Sequence, residues 1–227
     1  MAMIYLIRHG QASFLKSDYD QLSDLGKEQS EILGRALKER NQHTDYISSG
    51  SLNRHRQTFE SFMHRFGSSV DVVVDNRWNE YDHMELLTKH NPAFTDYVAI
   101  GEYLQKQENP MKALQQVLND SILDWIDEKH AYATSWKTFK QGVLDALNEL
   151  AARLEKGQVA WVFTSGGPIS VALIELLSLN EKQFVDLQGR LVNSSITKVL
   201  VGKSKLSLST YNDYSHLDHN SQLITYR

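Results

Sequence analysis

Apolar residues in this chain fall into short runs separated by longer stretches of helical spacing. Residues 3–7, Met-Ile-Tyr-Leu-Ile, predict a buried strand that ends in Arg8-His9-Gly10. A polar loop follows. Ser23 then opens a helix in which Ile32, Leu33, Ala36 and Leu37 recur on one side. Residues 45–49 predict a second short strand. Phe59, Phe62, Met63 and Phe66 mark the apolar side of the next helix, and Gly67 closes it. The β-branched residues 70–74 predict a third strand. From about residue 85 to 132 the pattern changes to helical spacing rich in Gln and Asn, with no clear strand, which predicts a helical insertion over the sheet. A helix over residues 136–154 leads to Gly157 and to a fourth apolar strand at 159–163. That strand runs into Thr164-Ser165-Gly166-Gly167-Pro168. Residues 169–177 are apolar nearly all round and read as a buried helix. Residues 196–201 and 206–211 flank Gly202-Lys203-Ser204-Lys205 and read as a hairpin.

Strand, loop and helix thus recur, which is the mark of an α/β sandwich of three layers with a mostly parallel central sheet. The 227 residues fit one sizeable domain, 1–227, with the stretch 85–132 as its insertion or cap. Ligands in such folds sit beyond the carboxyl ends of the strands. Arg8-His9-Gly10 and Ser165-Gly166-Gly167 both fall there.

Composition removes several function classes. The net charge is -4, from 24 basic and 28 acidic residues, so no broad basic face for nucleic acid or anionic lipid is expected. A phosphate pocket needs only local positive charge. The absence of cysteine excludes disulfides, thiolate catalysis and cysteine-based zinc sites. The apolar run at the start is too short for a signal peptide or membrane span, and a cytoplasmic location is expected.

Three segments carry chemistry. Arg8 offers a planar fork of donors that matches a phosphoryl group, and His9 is a ring-nitrogen nucleophile if its tautomer is fixed. Gly10 lets a substrate approach closely. Arg54, near the start of a helix, would add to an anion site that the helix dipole already favours, whereas Arg56 reads as a solvated charge. Glu80, in Arg77-Trp78-Asn79-Glu80-Tyr81, could protonate a leaving oxygen.

Taken together, these segments resemble the histidine phosphatase superfamily, which includes the phosphoglycerate mutases. Arg8-His9-Gly10 looks like its signature. Leu22-Ser23-Asp24-Leu25-Gly26-Lys27-Glu28-Gln29 is similar to its Leu-Thr/Ser-x-x-Gly-x-x-Gln helix start. Leu52-Asn53-Arg54-His55-Arg56-Gln57-Thr58 resembles its Leu-x-Arg-Ala-x-Gln-Thr, with His55 where alanine is usual. Arg77-Trp78-Asn79-Glu80 resembles the segment of its acid, and Thr164-Ser165-Gly166-Gly167 resembles Ser/Thr-His-Gly-Gly. The matches keep the family's order along nearly the whole chain.

The resemblance implies a phosphoglycerate mutase-like fold and a phosphomonoester hydrolase. His9 would accept the phosphoryl group, Arg8 and Arg54 would hold its oxygens, and Glu80 would protonate the leaving group. No metal or cofactor is expected, and the partner would be a small phosphorylated substrate. Phosphate would also meet Ser165, Gly166 and Ser13. By that resemblance Ser165 stands where the second histidine is usual. Ser165 and the following amides could do its work, another residue could replace it, or the chain could be a non-catalytic phospholigand binder. His216 and His219 are candidates for replacement, with a structural or pocket-rim role favoured for His216. A mutase is the other enzymatic alternative, and Gln11-Ala12-Ser13-Phe14-Leu15 departs from the Glu-Ser-x-Trp-Asn of the glycolytic mutases. The sequence names neither the substrate nor the oligomeric state.

Overall fold

The computed structural model describes residues 1–12, 20–67 and 70–226. Six strands form one sheet: β1 (Ala2–Arg8), β2 (Tyr46–Ser49), β3 (Val72–Val74), β4 (Val159–Thr164), β5 (Ile196–Val201) and β6 (Leu206–Asp213). Their order is β3-β2-β4-β1-β5-β6. β1, β2, β3 and β4 run parallel, whereas β5 is antiparallel to β1 and pairs with β6 as the expected hairpin. β1 and β4 lie at the centre and are buried on both faces, which explains why their sequences are continuous apolar runs rather than alternating ones.

Helices α1 (Asp24–Glu39) and α2 (Asn53–Phe66) cover one face. Leu33, Leu37 and Phe62 pack there on Ile7, Trp161 and Phe163. Phe62 meets Trp161 and Phe163 edge-on at 5.3 and 5.4 Å between ring centroids, contacts worth about 0.5–1.5 kcal/mol each beyond area burial. Helices α1 and α2 touch so closely that a Cβ on Gly34 would lie 2.2 Å from the Phe62 carbonyl oxygen.

The other face carries α5 (Pro110–Ile126), α6 (Trp136–Arg153), α7 (Gly166–Leu177) and α8 (Phe184–Arg190). Trp125, Trp136, Leu147, Ile169, Leu173 and Phe184 share its core. The stretch expected as a helical insertion holds α3 (His83–His90), α4 (Tyr97–Gln105) and α5. Leu87, Phe94, Ile100, Leu104 and Leu114 give it an apolar centre of its own, while Ile122 and Trp125 tie it to the main core. Asn109 caps α5 by accepting from the Lys112 amide, and Pro110 fills the first helical position, whose N–H needs no partner.

The structure departs from the sequence expectations in detail. β3 begins at Val72 and is an exposed edge strand. α7 begins three residues early, at Gly166. α8 was not anticipated, because seven residues hold too little periodicity to see. No helix among the described residues is long and apolar enough to cross a membrane.

Candidate active site

His9 follows the last residue of β1 and is held by its backbone on both sides. Its amide donates to the Thr164 carbonyl at 2.9 Å. Its own carbonyl accepts from the Ser194 amide and the Asn193 side chain, both at 3.2 Å. The Gly10 amide donates to Thr58 Oγ1 at 3.0 Å. A side chain at position 10 has no room, since its Cβ would stand 2.2 Å from the Gly26 carbonyl oxygen. Gly26 is glycine for the reciprocal reason, since a Cβ there would lie 2.1 Å from the Gln11 carbonyl oxygen, and Ser23 caps α1 by accepting from the Gly26 amide at 3.0 Å.

The imidazole of His9 has a fixed tautomer. Its Nδ1 lies 2.7 Å from the Gly10 carbonyl oxygen, which can only accept, so Nδ1 carries the proton and Nε2 the lone pair. Burial holds the ring's pKa well below the ordinary histidine value, and the charges of Arg54 and Arg8 and the neighbouring His55 push the same way. His9 is therefore a neutral base in a positive surrounding.

Arg8 and Arg54 are both buried. The Nη1 of Arg8 donates to the Leu191 carbonyl, and Nη2 to the Tyr226 carbonyl at 3.0 Å. The two terminal nitrogens thus donate to backbone carbonyls of two separate segments, and the fork expected from sequence contributes charge more than shape. Arg54 leaves the first turn of α2, and its Nη1 donates to Asp20 Oδ1 at 2.8 Å. Asp20 Oδ2 also accepts from the Asn53 amide at 2.8 Å, so a carboxylate already sits at this helix start. Arg56 is exposed and pairs with Glu60, as expected of a surface charge.

Glu80 is set by the turn after β3. Thr164 Oγ1 donates to the Trp78 carbonyl at 2.6 Å and fastens that turn to β4. Oε2 of Glu80 accepts from the Gly167 amide at 3.1 Å and from Gln188 Nε2 at 3.4 Å. Oε1 is sealed from solvent with no donor among the described residues. Burial raises the carboxyl's pKa above the ordinary value, against the opposing pull of Arg54, the Gly167 amide and Arg8. Such a carboxyl keeps its proton longer than an exposed one.

Ser165 is fully buried at the N-cap of α7, yet its hydroxyl does not cap the helix. It lies 2.6 Å from Nε2 of His55, a buried imidazole whose ring centroid is 5.9 Å from that of His9. Gly166 adjoins Arg8: a Cβ there would be 3.8 Å from Arg8 Nε. Arg8, His9, Arg54, Glu80, Ser165 and Gly166 therefore converge from four separate segments. Ser13 lies outside the described residues.

From sequence Tyr81 is open to shaping the pocket or packing the core, His83 reads as a surface or core residue, and Gln188 is not singled out. The His83 ring lies against that of Tyr81 at 4.4 Å, tilted by 39°, and burial, with Arg54 and Arg8, pushes its pKa down to about 3. Tyr81 donates to Gln188 Oε1 at 2.9 Å. These three line a cavity of about 560 Å³, walled mainly by Leu87, Tyr97, Ile100, Leu114, Leu118 and Ile122. Arg8 is the one arginine or lysine among its described lining residues. His216 instead bonds Ser194 Oγ at 2.9 Å, on the segment that holds the His9 carbonyl, and His219 is exposed. Among the described residues no three His, Asp or Glu side chains converge as a metal site would require.

The profile of the Histidine phosphatase superfamily (branch 1) matches residues 4–214. The chain belongs to that superfamily. Solved structures of similar fold match most of this chain. A phosphoserine phosphatase mutant from Entamoeba histolytica in complex with phosphoserine has a TM-score of 0.65 at 17% identity, covering 96% of this chain and 100% of its own. A mycobacterial glucosyl-3-phosphoglycerate phosphatase has 0.63 at 21% identity, covering 92% and 98%. A phosphoglycerate mutase from Bacillus anthracis has 0.62 at 18%, covering 96% and 95%. Comparison with curated protein sequences finds no match.

Proposed function

We propose that this histidine phosphatase hydrolyses a phosphomonoester through a phosphohistidine on His9. The observation that carries the reading is the Nδ1 contact with the Gly10 carbonyl, which leaves the Nε2 lone pair available on a ring kept neutral by burial and by two arginines. The lone pair attacks phosphorus and the ester P–O bond breaks. Glu80 gives its proton to the departing alkoxide. The resulting carboxylate then takes a proton from water, whose oxygen attacks phosphorus, and the P–N bond breaks to release inorganic phosphate. Arg8 and Arg54 offset the charge on the phosphoryl oxygens throughout.

The cavity beside Arg8 supports hydrolysis over a mutase reaction. A mutase must grip a substrate with a second anionic group, and the described lining offers Arg8 alone as an arginine or lysine. Its apolar wall fits the alcohol of an aryl or alkyl monophosphate.

Alkaline quenching of the enzyme with 4-nitrophenyl phosphate should trap phosphohistidine, which His9→Ala abolishes. Turnover of monophosphates should rise with apolar bulk of the alcohol and stay low with 3-phosphoglycerate. Phosphate binding without any turnover would instead make the chain a phospholigand binder.

A further inference from the structure

This inference rests on the hydrolase reading above. His55 and Ser165 meet across 110 positions of sequence, in the buried space between α2 and the start of α7. Their short contact has two possible proton arrangements. If Ser165 donates to Nε2, the proton of His55 sits on Nδ1, which is buried without a partner among the described residues. If Nε2 carries the proton, His55 donates to Ser165 Oγ, and the hydroxyl proton of Ser165 is left to seek an acceptor. Nδ1 then holds only a lone pair. A phosphoryl oxygen supplies that acceptor, so an anion in the site selects the second arrangement. Burial and the adjacent Arg54 keep the ring neutral, so either tautomer needs a proton on only one nitrogen.

We propose that His55 is a positioning residue that orients the Ser165 hydroxyl as a donor to the transferring phosphoryl group. The geometry around the pair agrees. Ser165 stands at the carboxyl end of β4, directly after Thr164, whose carbonyl receives the His9 amide. Its hydroxyl ignores the α7 amides that an N-cap serine ordinarily serves. Gly50 makes room for the ring, since a Cβ there would lie 2.2 Å from His55 Nδ1.

The test uses the full chain, 4-nitrophenyl phosphate and orthovanadate as an inhibitor, with thermal melting to check folding. Ser165→Ala and His55→Ala should each lower kcat by about 10²-fold, the loss expected for one donor to a developing anion. The double variant should fall no further, because each change disables the same donor. KM should move little, and vanadate inhibition should weaken in parallel. His55→Gln, whose amide nitrogen can donate at similar reach, should recover most of kcat and carries the test if His55→Ala does not fold. Wild-type kcat in Ser165→Ala, or losses that multiply in the double variant, would overturn the pairing while leaving the phosphohistidine reading intact. Failure to trap phosphohistidine in the wild type would remove both.

Discussion

The Gly167 amide holds Glu80 Oε2 at 3.1 Å, and a Cβ on Gly167 would fall 2.0 Å from Oε1 of the same carboxyl. The obstructing atom is the far end of a movable side chain, so the fold can admit a methyl group while the acid cannot keep its position. Gly167→Ala should therefore fold, melt within a few degrees of wild type, and lose the function of Glu80. Turnover of an alkyl phosphate, whose poor leaving group needs a proton, should drop by about 10²–10⁴-fold. Turnover of 4-nitrophenyl phosphate should drop far less. Equal losses on both substrates would show that the glycine matters for another reason.

The raised pKa of Glu80 has a definite sign in both activity and stability. The folded carboxyl binds its proton more tightly than the unfolded one, so stability is fully present below the ordinary carboxylate range and falls as pH rises through the folded value. Glu80→Gln removes that slope. Melting temperatures measured from pH 4 upward should thus show the variant gaining on wild type as pH increases. The kcat/KM profile of the wild type should lose activity on its alkaline side as Glu80 ionises, and that limb should vanish in the glutamine variant at a much lower plateau. A limb that persists would belong to another group.

Gly34 offers a change that affects the scaffold and spares the chemistry. Its missing Cβ faces backbone, the Phe62 carbonyl oxygen at 2.2 Å, which cannot swing aside. Gly34→Ala should force α1 and α2 apart and cost about 1–3 kcal/mol by overpacking. Urea denaturation should register that loss, with kcat per folded molecule changed less than threefold at low temperature. An unchanged midpoint would show that the two helices yield freely.

The position of the candidate site was legible because its residues sit at strand ends. The run before His9 and the run before Ser165 are apolar on both faces, and such strands can lie only at the centre of a covered sheet, where their ends open on a shared crevice. Ser23 and Gly67 announced helix ends because each has a backbone duty that other residues fill poorly. The partners across space were not legible. Nothing in the order of residues says that His55 faces Ser165, that Gln188 steadies Glu80 or that Tyr226 receives Arg8. Each contact joins segments whose meeting depends on the packing of helices on the sheet. His55 left one trace in the sequence, a large polar side chain where the similar segments have alanine.

The central position of β1 has a consequence for the newborn chain. Met3 pairs with Val159 on one side and with Leu200 on the other. A ribosome adding about 5–20 residues per second needs roughly 8–30 s to travel from Met3 to its first partner, Val159. Throughout that interval Ile4, Leu6 and Ile7 have no sheet to join, and their ladder groups stay open to any neighbouring strand. β1 is thus an unpaired apolar strand during synthesis until the middle of the sheet arrives.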